Sequence, residues 1–190
     1  MRYLLIGNAP NCADAVVENA AHADVIIQCN GCTYAEVLPS VRDNYGFVSN
    51  TAPKPEIIGA IEHRLTSLRS LPVFTSTSII LCRNPRAYTL GAYLLRGRLN
   101  VRTEFFELNR FWPVRAVSFV STVRLHTSLL KLGMQIRQMP STGMVAYDWI
   151  RRRLRPTDSL LVAGFTHQGW QGHPWHLERE IIKPVIGDRR

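Results

Sequence analysis

Lysine is nearly absent from this chain. Three lysines stand against 20 arginines, and the formal net charge is +9. The positive charge is therefore guanidinium charge, whose planar fork matches phosphate and carboxylate. Cysteine is also scarce: four residues, of which Cys29 and Cys32 form a lone C-x-x-C without two further ligands at zinc spacing, while Cys12 and Cys82 stand apart. Scattered thiols exclude a disulfide framework and suit a reducing compartment. No N-glycosylation triplet occurs, and no internal repeat or low-complexity linker. No apolar run approaches the about 18–20 residues of a membrane span. The opening MRYLLIGNAP is too short for a signal sequence and runs straight into a Gly-Asn turn. These absences lead us to expect a cytoplasmic protein with no transmembrane segment.

What is present is ample apolar material. The 190 residues are 46% hydrophobic and 19% charged, enough for one packed domain spanning 1–190. Short apolar runs read as buried strands: YLLIG (3–7), DVIIQCN (24–30), GFVSN (46–50), VFTSTSIILC (73–82), AVSFVS (116–121) and SLLVAGF (159–165). Between them lie helical patterns at 11–22, 55–68, 88–99, 122–134 and 141–154. GHPWHLERE (172–180) opens a C-terminal helix or turn. Alternating strands and helices predict an α/β fold with a mainly parallel sheet and helices on both faces. In such sheets ligands bind at the carboxyl ends of the strands.

Three of those ends deliver an asparagine: Gly7-Asn8, Cys29-Asn30 and Ser49-Asn50. An asparagine amide binds a hydroxyl, a base edge or a phosphate without bringing charge, and it is equally a turn residue. GNAP lacks the G-x-G-x-x-G of a dinucleotide site. PSTGM (140–144) opens a helix, where Ser141 or Thr142 can cap, the first-turn N–H groups attract an anion and Gly143 permits close approach. In H-P-W-H-L-E, His173 and His176 are rival general bases. A surface or core histidine is the plain alternative. The dense run Arg151, Arg152, Arg153 and Arg155 closes a helix, where cations are favoured by the dipole.

The order of these motifs resembles the sialyltransferases, both the eukaryotic type and the smaller bacterial ones. IGNAPN matches the glycine-rich turn of their large motif. QCN stands where R-x-N is found, with Gln28 in place of the arginine, and Asn50 follows about twenty residues on. PSTGM and VAGF match the small motif, and His173 to Glu178 matches H-x4-E. The resemblance covers 3–50 and 140–180. It implies a Rossmann-like nucleotide-binding domain that inverts a sugar taken from a CMP donor, sialic acid or a related nonulosonate, with no metal and no other cofactor. Gly7, Asn8, Asn30 and Asn50 would hold the CMP ribose and phosphate. Ser141, Thr142 and Gly143 would contact the donor at the helix start. His173 would be the base, Glu178 would orient it or cap locally, and His167 would stabilise the departing phosphate. Only five residues separate His167 from His173, closer than in the family. No cysteine follows Cys82, so the disulfide of eukaryotic members has no counterpart. Segment 88–115, with Trp112 and the Phe105-Phe106 pair, would serve as a lid or an acceptor-side insertion. The acceptor would be a glycan or a small molecule. Two other classes compete: a cytidine-nucleotide-binding module that has lost transfer, and a basic nucleic-acid binder, which lacks an aromatic-basic platform of recognised spacing.

Overall fold

The computed structural model describes residues 1–29, Tyr34, Leu38, 114–169 and 171–187, together with strands 43–48 and 79–82; for 43–48, 79–82 and 114–116 only the backbone is described. The described strands are β1 (Arg2–Ile6), β2 (Val25–Cys29), β3 (Asp43–Val48), β4 (Ile79–Cys82), β5 (Val114–Ala116) and β6 (Ser159–Ala163). They form one six-stranded sheet of order β5-β4-β3-β2-β1-β6, and every pairing is parallel. The described helices are α1 (Ala13–Ala20), α2 (Phe119–Lys131), α3 (Thr142–Arg151) and α4 (Trp175–Ile181).

A parallel sheet covered on both sides needs strands that are apolar at every position. β2, VIIQC, is buried throughout. Its alternate residues feed two cores. Leu5, Val25, Ile27 and Cys29 pack with Leu125 and Leu129 of α2, Met144, Tyr147 and Ile150 of α3 and Leu177 of α4. Leu4, Ile6 and Ile26 pack with Val16 and Ala20 of α1 and with Tyr34. Helices therefore cover both faces. Leu4, Leu5, Ile26 and Ile27 are fully buried, each contributing about 1.5–3 kcal/mol of transfer free energy.

Strand boundaries depart from the expectation at β3, which runs 43–48 rather than 46–50, and most of all at β5. AVSFVS reads as a strand over 116–121, but the strand is 114–116 and the helix starts at Phe119. Ser118 decides this. It keeps extended backbone angles, and its hydroxyl accepts from the Ser121 N–H at 3.1 Å. That N-cap overrides the β preference of Phe119 and Val120. Residues 114 and 115, the end of the expected lid, belong to edge strand β5. The rest of that segment, and the expected helices at 55–68 and 88–99, lie outside the described residues.

The strand order contains a topological switch point. From β1 the chain steps outward through β2, β3, β4 and β5, then crosses to the other side of β1 for β6. The winding order along the sheet reverses between the parallel neighbours β1 and β6, and the carboxyl ends of strands at such a switch point frame the usual ligand position of an open α/β sheet.

Candidate functional site

The two strand ends at the reversal touch through glycine. Gly7 donates its N–H to Ala163 O at 2.9 Å, and Ala9 N–H donates to Gly164 O at 2.8 Å. The ladder thus continues past both strands. A Cβ on Gly7 would lie 2.2 Å from Gly164 O, and Gly164 itself has φ +70°. Both positions require glycine. Asn8 donates its amide to Cys29 O at 2.9 Å, tying the turn after β1 to the end of β2. Tyr34 clamps the same turn: its hydroxyl donates to Ala9 O and accepts from Cys12 N at 3.0 Å. Asn30 and Asn50 lie outside the described residues. Gln28, at the position of the expected arginine, is buried on β2 opposite Ile6 and Gly46.

Beside these turns, PSTGM and HPWHLE are fastened together. Ser141 caps α3, its hydroxyl accepting from Met144 N at 3.1 Å. Glu178, from the first turn of α4, then takes both polar groups of Ser141. Its Oε1 accepts from Ser141 N at 2.7 Å, and its Oε2 from Ser141 Oγ at 2.5 Å. The Glu178 side chain is wholly buried, at 0% exposure. A carboxylate is tolerated there because charge-assisted hydrogen bonds and the positive end of the α3 dipole meet it. The anion expected at this helix start is thus supplied by the chain itself. Ser141 and Thr142 are buried, and a Cβ on Gly143 would lie 2.4 Å from Cε1 of Phe165. The close approach at Gly143 is to that ring, which also reaches Gly7.

A second fastening holds the histidine. His173 Nδ1 lies 2.7 Å from Met139 O, and Met139 N donates to Gly172 O at 2.8 Å. A carbonyl only accepts, so Nδ1 carries the hydrogen and Nε2 is the basic nitrogen of the neutral ring. Trp175 meets the imidazole edge-on, with centroids 4.9 Å apart. Met139 O and Trp175 thus both hold the ring. His176, its rival, is exposed on α4.

His167 follows β6 in a left-handed conformation, φ 51°. Its ring stacks on Phe165 at 5.9 Å. Its Nδ1 is buried without a hydrogen-bond partner among the described residues. Burial lowers its pKa below the ordinary value, and the nearby Arg179 cation lowers it further. His167 is therefore neutral near pH 7.

The Gly7–Phe165–Gly143 contacts bring together the ends of β1 and β6 and the start of α3, and His167 joins them through Phe165. His173 and Glu178 join α3 through Met139 and Ser141. Two surface depressions lie elsewhere. One is small and lined by Val117, Thr122, Leu125, His126 and Val145; the other, about 290 Å³ and open, is lined by Met144, Tyr147, Arg151, Arg152 and Ile181. Sheet topology and polar geometry converge at the strand ends instead. Met139, Phe165 and Tyr34 carry structural work that the sequence reading did not assign. A backbone carbonyl such as that of Met139 leaves no residue-type signal, and Phe165 was visible only as the end of VAGF. No protein-family model, curated protein or solved structure matches the chain.

Proposed function

We propose that this chain is an inverting glycosyltransferase with a Rossmann-like domain that uses a CMP-activated sugar, sialic acid or a related nonulosonate. The observation that carries the reading is the double fastening of H-x4-E to PSTGM: Glu178 on Ser141, and His173 on Met139. Two segments 34 to 37 residues apart are thereby held as one unit. The unit presents an imidazole whose Nε2 is the base.

In the proposed reaction, Nε2 of His173 takes the proton of an acceptor hydroxyl. That oxygen attacks the anomeric carbon from the face opposite the phosphate, so the configuration inverts. The bond from that carbon to the phosphate oxygen breaks, and CMP leaves with the electron pair. Such general-base assistance contributes roughly 10²–10⁴-fold. His167, neutral, meets the departing phosphate as a hydrogen-bond donor. Asn30 and Asn50 bind the nucleotide, with Asn8 placing the turn beside it. Glu178 acts through Ser141. Four scattered cysteines without a disulfide framework suit the cytoplasm, where we place the protein.

Calorimetric titration with CMP, UMP and AMP tests this, on the wild type and on Asn30→Ala. Selective CMP binding that the substitution weakens supports it. A protein that binds no CMP and turns over no CMP-sugar sinks it. The short His167–His173 connection favours one other reading, a cytidine-nucleotide module without transfer; it would show CMP binding with no turnover.

A further inference from the structure

Helix α2 is apolar on two sides. Thr122, Leu125 and Leu129 face the core. At 3.6 residues per turn, Phe119, Val120, Val123 and Leu130 fall within an arc of about 100° on the side away from them. They are exposed by 41, 62, 46 and 43%. Leu132 and Ile136, in the turn that follows, are exposed by 59 and 69%. Single exposed apolar residues are ordinary, but a stripe of six over one helix and its following turn marks a contact surface.

Among the described residues, the charges on α2 and its following turn have one sign. Arg124 and Lys131 lie within about 40° of Val120 on the helical projection, and Arg137 adjoins Ile136; all three are exposed. Between Glu107 and Asp148 the chain has no acidic residue and five basic ones. An exposed apolar stripe bordered by cations is the pattern of a helix that lies in the plane of a membrane interface. At 13 residues α2 spans about 20 Å, and no described helix is long and apolar enough to cross a membrane. We infer that α2 and the turn through Arg137 dock on an anionic phospholipid bilayer, with the stripe among the acyl chains and the three cations at the headgroups.

The alternatives fit less well. A second copy would bring Arg124, Lys131 and Arg137 against the same cations. A nucleic acid would engage the cations but leave Val120, Val123, Leu130 and Ile136 against phosphates. The inference stands apart from the nucleotide reading, since no residue of the stripe belongs to that site.

Vesicle co-sedimentation of the full chain tests it, with phosphatidylcholine alone and with added phosphatidylglycerol. The wild type binds the anionic vesicles only, less so as salt rises. Arg124→Gln with Lys131→Gln weakens partition by about tenfold or more. Val120→Glu with Val123→Glu, and separately Ile136→Glu, weaken it as well. Arg151→Gln with Arg155→Gln, off the stripe, leaves it unchanged. All these positions are exposed, and circular dichroism checks the fold of each variant. The inference is overturned if the wild type ignores anionic vesicles, or if the off-stripe pair weakens binding as much as Arg124 and Lys131. It also fails if the stripe variants lose only a dimer or RNA binding.

Discussion

Glu178 and Ser141 are joined by two hydrogen bonds across 37 residues, one to the backbone N–H and one to the hydroxyl. The carboxylate is buried, so its stabilisation depends on both donors. Removing it leaves the Ser141 N–H without its acceptor inside the protein. Glu178→Ala is expected to destabilise by about 1–3 kcal/mol. At about 2–4 °C per kcal/mol for a chain of this size, thermal unfolding reads the loss directly. Glu178→Gln keeps the shape but turns one acceptor into a donor toward Ser141 Oγ, and falls between the two. An unchanged midpoint in Glu178→Ala would show that the pair contributes nothing.

Gly7 and Gly143 make a contrasting pair. A methyl at Gly143 meets the ring of Phe165, a side chain that can move. A methyl at Gly7 meets the backbone carbonyl of Gly164, which cannot move without breaking the Gly7–Ala163 and Ala9–Gly164 bonds. Gly143→Ala is expected to lose about 1–3 kcal/mol, and Phe165→Leu in the same chain to recover part of it. Gly7→Ala is expected to lie at or beyond the upper end of that range, with no recovery from Phe165→Leu. Denaturant unfolding of the four variants separates these outcomes; equal recovery in both would refute the assignment of the Gly7 contact to backbone.

The order of elements was legible in the sequence because buried parallel strands are apolar at every position, as β2 is. The start of α2 was less so. Phe119 and Val120 favour a strand, and one serine hydroxyl reverses the outcome. The site was legible in part. The residues of PSTGM and HPWHLE stood out by type, but their pairing joins positions 34 to 37 apart, and sequence spacing carries no register for such contacts. Asn8 illustrates the opposite case. Its type suggested ligand binding, and its amide reaches the end of β2.

His167 makes stability depend on pH. Burial and Arg179 hold its folded pKa below the ordinary value, about 6.5 in an unfolded chain. The unfolded state therefore takes up the proton first as pH falls. The contribution of the neutral ring is fully present above the unfolded pKa and is lost as pH drops from there toward the lower folded pKa. His167→Gln removes this term. Between about pH 7.5 and 5.5, the wild-type midpoint is expected to fall further than that of His167→Gln. Parallel curves would show that His167 titrates alike in both states.

The sharpest functional prediction separates two histidines three residues apart. His173 is held by Met139 O and by the edge contact with Trp175; His176 is exposed on α4. If transfer uses the held ring, His173→Ala lowers turnover of a CMP-sugar by roughly 10²–10⁴-fold while CMP binding persists. His176→Ala leaves turnover within about twofold of wild type, as expected for a surface change. His173→Asn is the informative third variant. Its amide can still donate to Met139 O, so the local fold survives, but it offers no basic nitrogen. Activity in His173→Asn near the wild-type level would make His173 a structural residue, and the base would have to be sought elsewhere.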